Sequence, residues 1–426
     1  MESIRQCEDF YDLQKGEAVK MKHVVAFDVS MGKSTMVIYD HYRQCEFEGE
    51  IVHTRHSFEK LNETLMALTQ QDGQAPEIIF EATGVYSKSL ERFLDNQGYM
   101  YYRVNPLEAN IQMASMRRHK TDKSDAHELA KTHFRVEREQ TYQEEEYYKQ
   151  MRAMTRYYDE LSSEVTNLYS RLHAILQLSF PSLEKLFSKR SALFLNVVQL
   201  YPHPDNVLAC SKTVIRNRLK ANTRKNLSLA RAEEKGIALI EAAKDTYPAI
   251  SKDDIRCDQV RDYAKRIADL KEKREQLVQK MVELSQDKRE YQILISFPGI
   301  GETTAVRLIG ELGDIRRFKN HKQLNAYVGI DIMRYQSGNT FYKDKINKRG
   351  NNRLRKILFY MIQTMVQLRK HAQNHIVDYY DKLKTQPQRK PHKVASIACV
   401  NKFLKTAFHL ITHDFIYDYE KATMHQ

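Results

Sequence analysis

Residues 23–28 have the sequence HVVAFD and residues 77–84 have the sequence EIIFEATG, and these two apolar runs decide the fold of the first part of the chain. Each is short and carries a carboxylate, Asp28 or Glu81, at its end, which is typical of a buried strand that ends at the edge of a sheet. Further strand and helix patterns follow: a turn at 30–33, strands at 35–39, 50–55 and 101–104, and helices at 58–68 and 85–94. Five strands with intervening helices predict an α/β layer domain over residues 22–138.

The middle of the chain has a pattern typical of two long paired helices. Apolar residues recur at alternating spacings of three and four from Met151 to Ile175 and from Val260 to Leu284, with one polar interruption at Arg274. These heptad seams predict a coiled coil within residues 139–290, either as antiparallel arms of one chain or between subunits. The stretch 181–251 between the seams contains several prolines and is predicted to be a helical insertion.

The net charge of the 426-residue chain is +13, and it is concentrated near the C-terminus. Residues 334–405 contain 17 Lys and Arg, three Asp and no Glu, so this segment carries +14 and the rest of the chain −1. A solvated basic face is one interpretation. Because aromatic and apolar residues are interleaved with the cations, the segment favours a polyanionic partner, most naturally nucleic acid.

Other features of the sequence exclude several classes of protein. The five cysteines are scattered without a Cys-x-x-Cys pair, which argues against a zinc knuckle or a disulfide framework. No apolar run approaches the roughly 18 residues of a membrane span, and the N-terminus lacks an apolar signal segment, so we expect a cytoplasmic protein. A Walker phosphate loop is excluded as well, because the motif around Gly32-Lys33 would need a glycine in place of Phe27.

Four carboxylates form a candidate metal site: Asp28, Glu81, Asp122 and Asp125. Asp122 and Asp125 are three residues apart and share one face of a predicted helix. Carboxylates gathered at one sheet edge would repel one another unless a hard cation, Mg²⁺ or Mn²⁺, neutralised them, and two such ions can activate a phosphodiester. Taken singly, each carboxylate can instead be a turn or N-cap residue. The preceding Arg117 and Arg118 either hold phosphates beside the metal or form an exposed helix face.

The C-terminal part has two features that point to DNA. Pro298-Gly-Ile-Gly301 resembles a helix-hairpin-helix, in which Gly299 and Gly301 would let backbone N–H groups approach a phosphate; a plain helix–helix turn is the alternative. Ser337 precedes a glycine in a predicted loop among cations, so its hydroxyl can be a nucleophile, although a loop serine is more often a turn residue. The candidate phosphate-binding cations are Lys343, Lys345, Lys348, Arg349, Arg353, Arg355 and Lys356.

Motifs along nearly the whole chain resemble those of one known family. They are Phe27-Asp-Val-Ser30, Phe80-Glu-Ala-Thr-Gly84, Lys120-Thr-Asp-Lys-Ser-Asp-Ala126, Pro298-Gly-Ile-Gly301, Ser337-Gly338, Lys348-Arg-Gly-Asn351 and Leu354-Arg355. In this order they resemble the DEDD transposases of insertion sequences, the "insertion sequence one-ten" group, which is related to Piv-type invertases. Residues 1–21, an N-terminal extension, and the insertion at 181–251 carry no motif of that family.

The resemblance implies an α/β RuvC-like (RNase H-type) N-terminal domain, a central coiled coil and a mostly α C-terminal transposase domain with a helix-hairpin-helix at 291–426. It implies that Asp28, Glu81, Asp122 and Asp125 form a Mg²⁺-binding acidic tetrad and that Ser337 forms a phosphoserine link to DNA. It also implies donor and target DNA as substrates and a structured bridge RNA as guide. The chain would act as a homo-oligomer, at least a dimer and a tetramer on paired DNA sites.

Two other functions remain open at this point. A RuvC-like structure-selective nuclease that uses water would need the acidic tetrad but not Ser337. A non-catalytic nucleic-acid-binding scaffold would need neither, and the intact acidic set argues against it. Covalent protein–DNA adducts, free DNA ends, or neither product would distinguish the three functions.

Overall fold

The computed structural model of the protein describes residues 22–106, 109, 122–221, 227–333, 336–337, 340–341, 345–385, 387 and 389–424, with the backbone alone at 122–124, 336–337 and 340–341. The chain divides into two compact units, one ending at Gln143 and the other beginning at Glu144.

The first unit is built on a five-stranded mixed sheet. Its strands are β1 (Val24–Ser30), β2 (Lys33–Tyr39), β3 (Cys45–Val52), β4 (Glu77–Glu81) and β5 (Tyr101–Val104), in the spatial order β3-β2-β1-β4-β5. β1, β2 and β3 are antiparallel neighbours, whereas β4 is parallel to both β1 and β5. The α/β layer is confirmed. β3 begins five residues earlier than predicted, because its side chains are largely exposed and no apolar periodicity marks it.

Helices cover both faces of this sheet. Along one face lie α1 (Arg55–Asp72) and α2 (Lys88–Gln97), which pack on Phe27 and Phe80. The opposite face carries α3 (Asp122–His133), whose Ala126 and Leu129 pack on Ala26. Successive residues of β1 therefore enter two different cores, which explains why this strand is apolar along nearly its whole length.

The second unit is organised around two long helices, α4 (Glu146–Ser179) and, later in the chain, α10 (Ile255–Ser285). The Tyr147 hydroxyl donates to Ser285 Oγ at 2.9 Å, and Arg274 donates to Ser162 Oγ at 3.4 Å, so the two helices run antiparallel. The polar interruption at Arg274 also places its guanidinium 5.4 Å from the ring centre of Tyr158. The two predicted helices and their pairing are present, while a supercoiled coiled coil stays a prediction.

The insertion between these helices forms a hydrophobic core together with their far ends. It consists of α5 (Leu183–Leu186), α6 (Ala192–Leu200), α7 (Pro204–Leu208), α8 (Lys212–Ala221) and α9 (Leu229–Asp245). Apolar residues of these helices pack on Leu168 and Leu172 of α4 and on Ile267 of α10. The far ends of the two long helices and the insertion thus form one hydrophobic cluster.

A second cluster lies at the near ends of the same helices, where Met151 and Met281 join the C-terminal helices. These are α11 (Arg289–Ile295), α12 (Glu302–Leu312), α13 (His321–Val328), α14 (Asn352–Gln367), α15 (His375–Thr385), α16 (His392–Thr412) and α17 (Tyr419–Met424). A Cβ at Gly310 would meet the backbone carbonyl of Met151 at 2.6 Å, so α12 and α4 approach closely only because position 310 is glycine.

Within the described part of the chain, α16 is the one helix that is long and apolar enough to cross a membrane by length and composition. Its buried residues include Cys399, Phe403 and Ala407, and the ring centre of Phe403 lies 5.2 Å from that of Phe297. This packing is that of a core helix in the second unit.

Candidate active site and nucleic-acid interface

The structure places Asp28 and Glu81 side by side on neighbouring strands. Glu81 is the last residue of β4, whereas β1 continues for two residues past its predicted end at Asp28, to Ser30. The parallel register of β1 and β4 pairs Phe27 with Phe80, so the next residue of each strand is the carboxylate. Since side chains alternate between faces, Asp28 and Glu81 lie on the face opposite Phe27 and Phe80, which is the face that α3 covers. Both residues are half-buried.

The turn after β4 holds Glu81 at the sheet edge. The backbone N–H of Ala82 donates to the carbonyl of Val104 on β5 at 2.9 Å, and the Thr83 hydroxyl donates to the carbonyl of Glu81 at 3.3 Å. Gly84 then reverses the chain with φ of +54°, a left-handed conformation that favours glycine. The motif Glu81-Ala-Thr-Gly84 is therefore a strand end followed by a tight turn.

The direction of α3 brings its first turn toward the same strand ends. His133, the last residue of α3, bonds through Nε2 to Glu77 at the start of β4, at 2.7 Å. The helix therefore runs back along β4, and Asp122 and Asp125 in its first turn lie toward the end that carries Glu81. Asp125 is half-buried and precedes the fully buried Ala126.

The donor set fits a hard divalent cation, because all its members are carboxylates. Among the side chains that the structure describes, no three His, Cys, Asp or Glu residues form a group able to hold one metal ion. The side chain of Asp122 and the whole of Arg117 and Arg118 lie outside the described residues, so the described set contains three of the four predicted ligands.

Ser337 lies on a short two-part hairpin, not in an irregular loop. At the base, β6 (Ile332–Met333) pairs with β9 (Lys345–Ile346), and toward the tip β7 (Gln336–Ser337) pairs with β8 (Thr340–Phe341). The backbone of Ser337 is opposite that of Thr340, the last pair before the tip. The candidate nucleophile is therefore carried on a short strand, and its side chain lies outside the described atoms.

The two ends of this hairpin are tied together at a neck formed by residues 328–331 and 347–350. Lys348 N–H donates to the carbonyl of Gly329 at 3.0 Å, and Asn347 N–H donates to that of Asp331 at 2.9 Å. The guanidinium of Arg355 donates to the Val328 carbonyl at 2.7 Å and to the Lys348 carbonyl at 3.4 Å. The guanidinium of Arg355 thus ties the two sides of the neck together, and its contact with phosphate stays a prediction.

The other predicted phosphate-binding cations differ in availability. Lys345, Lys348, Arg349 and Lys356 are exposed, whereas Arg353 lies 3.6 Å from Asp159 in an ion pair. Lys343 lies outside the described residues. The exposed cations surround the base and neck of the hairpin that carries Ser337.

The two glycines of the predicted helix-hairpin-helix have different environments. Gly299 has φ of +93°, and a Cβ there would meet the backbone Cα of Met365 at 3.1 Å. Gly301 is the N-cap of α12 with φ of −93° and open space around a Cβ. The backbone requires glycine at 299 alone, while the use of this turn as a DNA contact stays a prediction.

Sequence reasoning missed a buried polar contact that fixes the start of α14. Asn351 caps this helix, since its Oδ1 accepts from Arg353 N at 3.1 Å and from Leu354 N at 3.0 Å. Its Nδ2 donates at 2.7 Å to Oε2 of Glu311, a fully buried carboxylate. An asparagine just before an apolar-periodic segment is an N-cap signal, but its partner Glu311 is 40 residues away and has no local signal.

The mixed α/β sheet of the first unit, with Asp28 and Glu81 side by side on β1 and β4, is compatible with a RuvC-like DEDD domain. The DEDD transposase model of the IS110 group matches residues 25–181, and the model described as "Transposase IS116/IS110/IS902 family" matches residues 291–377. The chain belongs to this family of insertion-sequence transposases.

Three curated relatives match part of the chain. The transposase for insertion sequence element IS1111A of Coxiella burnetii is 30% identical over 29% of this chain and 33% of its own length. The transposase for IS1328 of Yersinia enterocolitica is 25% identical, over 31% and 38% respectively. A probable family 20 transposase of Pseudomonas aeruginosa is 26% identical, over 30% and 36%. The chain thus matches little more than a third of the length of these relatives.

Proposed function

We propose that this protein is the transposase of an insertion sequence, a recombinase that cuts and rejoins DNA through a phosphoserine intermediate on Ser337. The observation that carries the proposal is the side-by-side placement of Asp28 and Glu81 on β1 and β4, on the face of the sheet that α3 covers. The family membership of the two matched segments supports the same function.

The reaction requires two sets of residues, the nucleophile Ser337 and the carboxylates that would bind the metal. The hydroxyl of Ser337 attacks phosphorus; an Oγ–P bond forms, the P–O bond to the leaving strand breaks, and the hydroxyl proton ends on the leaving oxygen. Because the phosphoserine ester keeps the energy of the phosphodiester, a hydroxyl on another strand can reverse the step and join new partners. Asp28, Glu81, Asp122 and Asp125 would hold Mg²⁺ or Mn²⁺, which when bound neutralises charge on the attacked phosphate.

The partners follow from the same proposal. Donor and target DNA are the substrates, and a structured bridge RNA supplies sequence choice by base pairing, while the protein binds backbones through its cationic segment. The acidic tetrad of one subunit would serve the serine of another in a dimer or, on paired sites, a tetramer. A cytoplasmic, nucleoid-associated location belongs to this proposal.

The deciding experiment is the mapping of a covalent adduct. Protein is incubated with guide RNA, Mg²⁺ and labelled DNA, the product is digested with protease, and the modified peptide is located by mass spectrometry. We expect the adduct on Ser337 and its loss in Ser337→Ala. Ser396→Ala is the matched control, since Ser396 lies in the same basic segment but is buried in α16, where its hydroxyl donates to the His392 carbonyl.

Two outcomes would overturn the mechanism. An adduct on another residue, or undiminished recombination by Ser337→Ala, would remove Ser337 from the reaction. Cleavage with free ends and no adduct would favour the water-using nuclease, which relies on the same carboxylates.

A further inference from the structure

A large groove opens at the base of the hairpin that carries Ser337. Its volume is about 1460 Å³, and its walls are the strands β6 and β9 on one side and the helices α14, α15 and α16 on the other. All of these elements belong to the second unit. Of these elements, β9 and α14 carry cations predicted from sequence to bind phosphate, whereas α15 and α16 carry none of them.

The lysines of the groove lining are here called the rim. Six lysines are part of this lining, and neither Asp nor Glu is among the described residues that line the groove: Lys345, Lys348, Lys390, Lys393, Lys402 and Lys405. Four of them come from the segment between α15 and the end of α16, which lies in the basic segment 334–405 but contains none of the individually predicted phosphate-binding cations. A groove with this charge is complementary to a polyanion.

The apolar residues of the groove lining are here called the floor, and several of them are open to solvent. Ile332 is 64% exposed, Met333 52% and Val394 51%, although each is a large hydrophobic side chain. Tyr379 and Phe359 add two aromatic rings to the lining. Duplex DNA offers only phosphates and base-pair edges to such a surface, whereas an unpaired strand also offers the faces of its bases, which pack on apolar and aromatic side chains.

We propose that this groove binds a single-stranded segment of DNA next to the phosphodiester that is cut, with phosphates on the lysines and unstacked bases on the apolar floor. The inference rests on the proposed function. It deepens that function by assigning a site in the second unit to a DNA strand that guide pairing leaves unpaired. Met333 precedes Ser337 by four residues, a reach of roughly 13 Å at about 3.3 Å per strand residue. A strand in the groove is therefore within a few nucleotides of the serine.

The test measures binding of the full-length protein without any cleavage. Fluorescence anisotropy compares a labelled thymidine oligonucleotide of about 12 nucleotides, the same backbone with abasic residues, the corresponding RNA strand, and a duplex of equal length. We expect the base-bearing DNA strand to bind at least tenfold more tightly than the abasic strand, from the roughly 1–3 kcal/mol that each stacked base contributes. The duplex and the RNA strand can also bind elsewhere along the cationic segment, so they serve as references whose affinities should not depend on the floor residues.

Two sets of variants separate the floor from the rim. Ile332→Asn with Met333→Asn removes exposed apolar surface and should reduce the preference for bases to about twofold or less. Lys393→Gln with Lys405→Gln should lower the slope of log affinity against log salt by about 1.4, at about 0.7 for each lost phosphate contact. Lys280→Gln on α10, exposed and outside the groove, is the matched control and should leave both quantities unchanged. Circular dichroism verifies that each variant is folded.

Three results would overturn the proposal: equal binding of base-bearing and abasic strands, floor variants that weaken duplex or RNA binding as much as binding of the base-bearing DNA strand, or floor variants that alter only self-association in light scattering. The last would identify a second copy of the chain as the occupant. Because binding is measured apart from adduct formation, a groove that fails this test leaves the serine mechanism standing. Loss of the Ser337 adduct would likewise leave the groove result intact.

Discussion

Replacing Asn351 by Ala tests whether the buried contact with Glu311 holds the neck of the serine hairpin. The substitution removes an N-cap, which costs about 1 kcal/mol. It also leaves Oε2 of the fully buried Glu311 without its 2.7 Å donor, and the other oxygen keeps only Arg156 at 3.5 Å. Leaving a buried acceptor unsatisfied costs a further 1–3 kcal/mol or so, and more when the group is charged. We therefore expect the free energy of unfolding to fall by about 2–4 kcal/mol.

Asn320→Ala provides the matched control in the same unit. Asn320 caps α13 by accepting from Lys322 N and Gln323 N, but it is exposed and has no buried carboxylate as partner. It should cost about 1 kcal/mol. The measurement is urea unfolding followed by circular dichroism, with unchanged slopes in both variants. Equal losses for Asn351→Ala and Asn320→Ala would refute the role of the Glu311 contact.

Three further substitutions test other parts of the structure. Asp28→Asn should reduce DNA cleavage at least about a hundredfold with folding intact, since loss of even an outer-shell partner of a metal costs tenfold to a hundredfold. His375→Gln should flatten the pH dependence of stability: burial lowers the pKa of His375 to about 4, so the wild type loses up to about 1.4 kcal/mol per pH unit as pH falls from about 6.5 toward 4. Gly299→Ala should lower the free energy of unfolding by about 2–4 kcal/mol, because φ is +93° and Met365 is in the way.

Each of these three predictions has an outcome that would contradict it. Full cleavage of DNA by Asp28→Asn in Mg²⁺ would show that Asp28 is not a ligand of the metal. An unchanged stability–pH curve for His375→Gln would show that another group titrates over that range. Gly301→Ala is the counterpart of Gly299→Ala, since a Cβ there meets no atom within 4 Å, and its effect should stay within about 0.5 kcal/mol. Similar losses at both glycines would contradict the packing argument.

The two sheet carboxylates were accessible from sequence because each directly follows an apolar run that is recognisable as a strand, although β1 continues past Asp28 to Ser30. Asp28 and Glu81 follow such runs, and parallel strands of an α/β layer bring their ends together. The position of β3 was predicted wrongly, because an exposed edge strand has no apolar face to mark where it begins. Local pattern therefore predicts an element well only where one side of it is buried.

The contacts that shape the serine hairpin could not be predicted, because their partners are far apart in sequence. The guanidinium of Arg355 binds two carbonyls at the neck, and no local pattern marks either carbonyl as its partner. In α4 the heptad spacing marks Met154, whereas the fully buried residue is Thr155, which faces Gly310 of α12. A helix packed on two neighbours buries more than one stripe, and a single seam does not show this.

The antiparallel pair α4 and α10 has a consequence for how related proteins can differ in length. Both helices pass without interruption from the cluster around Met151 and Met281 to the cluster around Leu168 and Ile267. Each residue added to one helix between these clusters would turn the far end by about 100° and shift it by about 1.5 Å relative to the near end. Relatives with longer or shorter arms are therefore expected to change both helices together, in steps of about seven residues. In an alignment of relatives, the lengths of the two helices between the clusters should therefore change together and by multiples of about seven residues, even where the residues themselves have diverged.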